Sequence, residues 1–510
     1  MKKRSLALGA LILFFCNFVS RVLGFAYKII LVRILGSEGI GLTEMVSPVY
    51  AFALVVSGMG IPLAMTRLIA SSLGRRSFSD IKRIWQISFK ILCLSGLFFS
   101  VVFYCFADVI IGIFAIDDCI VACFKIMIPA IFIVTVCSCY RAYFQAIKQI
   151  AVIGYSQKLE QICRVGFGIA LAWYFIPYGL EKAVTAVSAA TVIGELAGLL
   201  YIMHRYRMYK PNPSSTAVLS DRKIIRYLFT VGMPVTLQRL VMSSVLVMQS
   251  VLIPNLLCAG GLAAAEATAA YGNFSGVAMS LIHLPGIFTS TLAMAVLPAV
   301  AESGRQKDLL CSRVNQSLQL TALIGIPISV IFYQYASELC GWLFNTPEAG
   351  DILQILALGA VFIYGQTVLI GIMQGMGSVR YLLGNLVFSG ALLLVLLYLL
   401  VPPYGILGAA WGIVGFFAVN CLFNLKYLYI NCRLRFAAKQ IILKPVAAII
   451  IACAAKKAVN VLFTAQYIIN SYAAFSVDVG LLVLVYTAAL FCLKGMPDIM
   501  IRYIGIGRRR

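Results

Sequence analysis

The chain has 510 residues, 62% of them hydrophobic and only 12% charged, and a formal net charge of +23. A soluble domain carries about twice that charged share, so a water-soluble core is excluded. Excluded with it is a nucleic-acid partner, because the basic residues are not gathered with aromatics on one soluble face. Continuous apolar runs such as 391–401 and 446–455 exclude a transmembrane β-barrel, whose strands alternate over about 10 residues.

A helix that crosses the hydrocarbon core needs about 20 apolar residues. Fourteen stretches are read as spans: 6–34, 40–71, 84–107, 119–140, 154–176, 183–203, 225–256, 267–298, 314–337, 351–375, 381–401, 406–430, 442–463 and 475–494. The predicted fold is an all-α polytopic membrane protein. Its first span opens after Met1 to Arg4; the run is too long for a secretory signal and has no small-residue cleavage site before Arg21.

Alternate connections carry the basic residues. They are Lys2 to Arg4; Arg75, Arg76, Lys82 and Arg83; Arg141, Lys148 and Lys158; Arg205, Arg207, Lys210 and Arg222 to Arg226; Arg305, Lys307 and Arg313; Arg380; Arg433, Arg435 and Lys439; and Lys494, Arg502 and Arg508 to Arg510. The positive-inside rule places these connections, and both termini, in the cytoplasm. The net charge is therefore mostly a topology signal.

Ionisable side chains within spans cost at least about 2.5–3.5 kcal/mol at the bilayer centre and mark cavities or paired partners. Span 1 has Arg21 and, one heptad on, Lys28, which share a helical face. Arg33 lies at its outer end and Glu44 early in span 2. Glu160 and Arg164, four apart in span 5, read as an intrahelical pair. Glu195 is the one acid deep in span 6 and a candidate for ion coupling. Arg239 stands about 13 residues past Arg226, near the midplane of span 7. His283 in span 8 is either a proton relay or a hydrogen-bonded core residue. Lys456 and Lys457 approach the outer end of span 13, where they can snorkel. Arg21, Lys28 and Arg239 together suit a pyrophosphate, since guanidinium forks bind phosphate in bidentate fashion and lysine binds it as a point charge. The alternative is that Arg21 and Arg239 pair with Glu44, Glu195 or Glu266 inside the bundle.

The fifteen cysteines sit mostly in apolar runs and act as small hydrophobes. No metal site and no cofactor is expected, because Cys119 with Cys123 and Cys137 with Cys139 lack companion histidines. No Walker, zincin or nucleophile-elbow motif is present. The expectation is a transporter, not an enzyme, driven by H+, Na+ or the membrane potential.

Pro177-Tyr178-Gly179 recurs as Pro403-Tyr404-Gly405, each closing one span and opening the next. Tyr143-Phe144-Gln145-Ala146 has a loose counterpart in Ile372-Met373-Gln374-Gly375. With the polar linker 210–215, this repeat predicts two six-helix lobes, 1–210 and 211–430, and a segment 431–510 with two further helices and a basic cytoplasmic tail. Spans 1 and 7 are then equivalent helices lining a cavity between lobes. Gly58 to Pro62, Gly232-Met233-Pro234, Leu284-Pro285-Gly286 and Gly325-Ile326-Pro327 are predicted breaks or bends.

The run Arg21-Val22-Leu23-Gly24-Phe25-Ala26-Tyr27-Lys28, followed by 33–42, Pro48 and 58–64, resembles the N-terminal signature of the polysaccharide transporter group. That group belongs to the multidrug/oligosaccharidyl-lipid/polysaccharide flippase superfamily, and the likeness is greatest to its sporulation branch. The resemblance implies alternating-access flipping of a polyprenyl-pyrophosphate-linked saccharide across the bacterial cytoplasmic membrane, with lipid II for spore-cortex peptidoglycan as the implied cargo and cell-wall synthesis enzymes as partners. It also implies arginines in a central cavity, matching Arg21. Two rival readings are a cation-coupled multidrug antiporter, for which Glu195 is the candidate carboxylate, and a non-transporting scaffold for cell-wall enzymes.

Overall fold

The computed structural model describes residues 3–75, 77–112, 118–208, 219–303, 306–432, 436–463 and 471–495. The predicted linker 210–215 and the basic tail 508–510 lie outside the described residues, as do Arg76, Arg305, Arg433, Arg435 and Arg502. Among the described residues the regular structure is entirely helical.

The chain opens with α1 (Lys3–Gly58), α2 (Ile61–Gly74), α3 (Phe78–Cys105), the short α4 (Ala107–Gly112) and α5 (Asp118–Ala146). It continues with α6 (Ile150–Phe175), α7 (Leu180–Met208), α8 (Asp221–Ala259) and α9 (Ala264–Tyr271), which runs through a π-helical turn (Gly272–Ala278) into α10 (Met279–His283). Then come α11 (Gly286–Ser303), α12 (Lys307–Gln334), α13 (Ala336–Phe344), α14 (Ala349–Gly375), α15 (Val379–Cys432), α16 (Lys444–Phe463) and α17 (Ser471–Cys492).

Two of these are hairpins, not single rods. Lys28 and Glu44 are 16 positions apart, about 24 Å along a continuous helix, yet their side chains meet at 2.9 Å. Only a reversal at Gly36 (φ 71°, ψ −179°) allows this. In α15, Asn385 meets Asn424 at 2.9 Å and the Tyr381 hydroxyl reaches the Phe423 carbonyl at 2.8 Å. Those pairs straddle Gly405 (φ 59°, ψ −141°), which reverses the chain. Gly179 (φ 115°, ψ 152°) makes the corresponding turn between α6 and α7. All three sit in or near a backbone region essentially reserved for glycine, which explains why the repeated Pro-Tyr element ends in that residue.

By length and composition, nine described helices can cross a membrane, or up to eleven if each bent pair is one span. Fourteen is not reached by that criterion. One bent pair breaks by 42° at Met59 and Gly60, the other by 54° at Leu284 and Pro285, both at predicted breaks. The Pro234 and Pro327 elements, in contrast, lie within α8 and α12 without interrupting them.

The helices form two compact units. One holds the described residues up to Ser280 with Leu343–Thr346 and Leu394–Ala409; the other holds Leu281–Trp342, Pro347–Leu393 and the described residues from Ala410 onward. The first packs Ile61, Met65 and Ile69 of α2 on Ile81 and Ile84 of α3 and on Phe144 of α5. In the second, Val314, Leu369, Ile372 and Leu428 knit α12, α14 and α15. Ala448, Ala452, Leu482 and Tyr486 join α16 and α17 to Leu323 of α12. Lipid is as apolar as these side chains, so shape-matched contact and internal hydrogen bonds hold such helices together.

Candidate functional site

The candidate cations stand on α1 and α8, which pack together in the first unit. Lys28 is half-buried and already engaged: its Nζ lies 2.9 Å from Glu44 Oε1 and donates to the Ser275 carbonyl at 3.4 Å. The Ser275 hydroxyl donates to Glu44 Oε2 at 2.9 Å, so the π-helical turn completes the cluster. Next to it Ser37 donates to Asn273 Oδ1 at 2.7 Å. Arg33, exposed, donates from Nε to the Leu343 carbonyl at 2.8 Å.

Arg21 and Arg239 are both exposed and, among the described residues, neither has a hydrogen-bond or ion-pair partner. The acids that could have neutralised them are committed elsewhere. Glu44 holds Lys28, Glu195 holds Arg164 at 3.0 Å, and Glu266 accepts from the Ala263 backbone at 3.4 Å. His283, exposed, ends α10 immediately before the break at Pro285 and belongs to the second unit, apart from the other candidates in sequence.

The reading of Glu160 and Arg164 as a simple intrahelical pair was too small. The two do touch, but Arg164 also reaches Glu195 of α7, and Glu160 accepts from Arg141 of α5 at 2.7 Å. Four charges on three helices thus form one half-buried, electrically neutral chain. The Glu195 Oε2 and the Nε atoms of Arg141 and Arg164 are buried without a hydrogen-bond partner. Gly194 and Gly198 make room for it: a Cβ at Gly194 would lie 2.8 Å from the Glu160 carbonyl oxygen. Arg141 escaped the sequence reading because it was counted as a loop charge beyond a span ending near 140, whereas α5 continues to Ala146. Lys456 likewise does more than snorkel, since its Nζ contacts Gln334 at 2.9 Å, the Tyr335 hydroxyl at 2.5 Å and Asp478 at 3.7 Å.

The second unit has an uncharged counterpart. Gln366 of α14 and Asn385, Ser389, Asn420 and Asn424 of α15 are all buried and bonded to one another. Asn424 donates to Gln366 Oε1 at 3.0 Å, Asn385 to Asn424 Oδ1 at 2.9 Å, and Ser389 to Asn385 Oδ1 at 3.1 Å. Uncharged amides in apolar helices carried no weight in the sequence reading; the i, i+4 spacing of Asn420 and Asn424 was the available signal.

Long apolar helices, two of them in sharply bent pairs, define a polytopic helical membrane protein, with cationic side chains on its candidate spans α1 and α8. The family model described as polysaccharide biosynthesis protein matches residues 6–303. The chain is 29% identical over 425 residues to stage V sporulation protein B of Bacillus subtilis (strain 168), covering 81% of this chain and 82% of that one. Among solved structures it is similar to the lipid II flippase MurJ in its inward closed conformation, with TM-score 0.71, 13% identity, and 97% and 99% of the two chains covered. An inward-facing multidrug resistance MATE transporter of the MOP superfamily aligns with TM-score 0.69 and 15% identity over 81% of this chain and 94% of that one. The chain belongs to the polysaccharide biosynthesis protein family and is a multi-pass membrane protein with the fold shared by the MurJ and MATE structures.

Proposed function

We propose that the protein flips a polyprenyl-pyrophosphate-linked saccharide, with lipid II as the leading candidate, from the inner to the outer leaflet of the bacterial cytoplasmic membrane. Both termini are cytoplasmic in this reading. Cargo moves by alternating access of two lobes, 1–210 and 211–430, with the two helices of 431–510 outside them. The headgroup pyrophosphate meets Arg21 and Arg239, and Lys28 joins them when it leaves Glu44. The observation that carries the reading is the pair of exposed guanidinium groups at Arg21 and Arg239, without a partner among the described residues, since a membrane protein retains such charges where an anion or water meets them. A cationic drug is disfavoured, because Glu195, the candidate carboxylate for cation coupling, is buried against Arg164. Coupling to H+, Na+ or the membrane potential runs through the Glu195 chain, and a role in spore cortex synthesis alongside cell-wall enzymes follows the sporulation relative.

The test is lipid II accessibility at the outer leaflet in cells whose sole flippase is this protein. Wild type restores the signal, while Arg21→Ala and Arg239→Ala at matched abundance abolish it. No signal with wild type sinks lipid II as cargo, and intact signal in both variants sinks the site.

A further inference from the structure

Along α8, Gly232, Thr236, Arg239, Ser243 and Ser250 recur at helical spacing and share one face. Its other members are buried, and a Cβ at Gly60 would lie 2.4 Å from the Gly232 carbonyl, so this face packs on the break between α1 and α2. Arg239 alone in that stripe is exposed. Just beyond it the packing opens into an apolar cavity of about 350 Å³ within the first unit, lined by Met45, Val49 and Phe52 of α1, Phe103 of α3, and Ser244 and Val247 of α8.

Its chemistry narrows the occupant. The polar side chains in its wall are serines, and that of Ser250 already donates to the Val247 carbonyl at 2.9 Å, whereas a bound water needs 2–4 polar partners. No carboxylate lines it, so nothing there draws a cation. A protein helix, about 10–12 Å across, is too wide for it. A flexible hydrocarbon chain fits, and the volume is at the lower end of ordinary ligand pockets. Arg239 is outside the cavity wall, about 7.5 Å along the helix axis from Ser244, which stands about 140° round the helix from it, and about 16.5 Å from Ser250 on its own face, so a phosphate that meets it lies beyond the cavity mouth at the head of that chain.

We infer that this cavity receives the phosphate-proximal isoprenoid units of the polyprenyl cargo while Arg239 holds the phosphate, which makes it a tail subsite on α1 and α8. The inference rests on the proposed cargo class but not on transport itself, so it is tested by binding. The full chain in phosphatidylcholine nanodiscs is presented with undecaprenyl phosphate or with phosphatidylglycerol, and bound lipid is counted by native mass spectrometry. Val247→Trp fills the cavity, Ser244→Phe narrows its exposed rim, Arg239→Ala removes the phosphate partner, and Leu422→Trp on lipid-exposed α15 is the control. Undecaprenyl phosphate binding falls at least about tenfold in the first three, with phosphatidylglycerol and the control unchanged. Undecaprenyl phosphate binding within about twofold of wild type in both cavity variants overturns the inference, as does an equal loss of both lipids, which marks a general annular site. A wild type that binds undecaprenyl phosphate through this cavity but flips no saccharide lipid removes the proposed transport and leaves the subsite standing.

Discussion

The junction of α5, α6 and α7 and the junction of α14 with the two arms of α15 are built to one plan and filled with opposite chemistry. The register that matches Gln145 to Gln374 sets Cys137 against Gln366, Ser156 against Asn385 and Glu160 against Ser389. The register that matches Tyr178 to Tyr404 sets Gly194 against Asn420 and Gly198 against Asn424. One contact survives in both: Ser156 donates to the Gly198 carbonyl at 3.0 Å, and Asn385 donates to Asn424 Oδ1 at 2.9 Å. Elsewhere the plan diverges. Glycines in α7 leave space for guanidinium groups, whereas asparagines in α15 fill that space with amides, and Arg141, Arg164 and Glu195 correspond to Ile370, Leu393 and Cys421. A satisfied amide cluster is enough to clamp three helices. Charges add a desolvation cost that uncharged residues avoid, so their presence in only one of the two junctions points to work beyond clamping.

The largest expected effect comes from breaking the ionic chain in half. Arg164→Leu alone leaves the Glu195 carboxylate buried without its partner and costs about 3–5 kcal/mol, read as a drop in the denaturation midpoint of the purified protein. Exchanging all four ions for their counterparts (R141I, E160S, R164L, E195C) recovers most of that stability but not transport. A quadruple variant that flips cargo like wild type collapses the functional distinction between the junctions. Next in size, Asn424→Ala leaves the buried Gln366 Oε1 without its donor and costs about 1–3 kcal/mol, while transport per folded molecule is retained; a transport defect at matched abundance contradicts a purely clamping role. Gly179→Ala and Gly405→Ala each cost about 1–3 kcal/mol from backbone strain, and equal losses in the two confirm that the repeated turns are equivalent. The smallest change is expected of Ser156→Ala, about 0.5–1.5 kcal/mol for one hydrogen bond, measured by the same denaturation.

Much of the scaffold was legible in the sequence because hydropathy reports each span locally. Pro-Tyr-Gly marked turns that adopt glycine-only geometry, and the Gly58 to Pro62 and Pro285 elements marked real breaks. The candidate site was less legible, since partners lie on different helices. Nothing local in α1 says that Lys28 meets Glu44; that depends on the chain reversing at Gly36. Arg141 looked like a cytoplasmic charge until α5 proved a turn longer. The amides of α15 were passed over because charge, not hydrogen-bonding capacity, was the criterion applied to residues at depth.

The reversal at Gly36 also bears on how the chain enters the bilayer. Lys28 and Glu44 lie on two arms joined by one residue in the turn, so their 2.9 Å pairing is available before any later helix has been synthesised. An isolated lysine or glutamate is among the costlier passengers on a nascent membrane helix. Delivered together in a closed hairpin, Lys28 and Glu44 partition as a neutral pair, and Ser275, some 230 residues later, only completes a bond network that biogenesis has already begun.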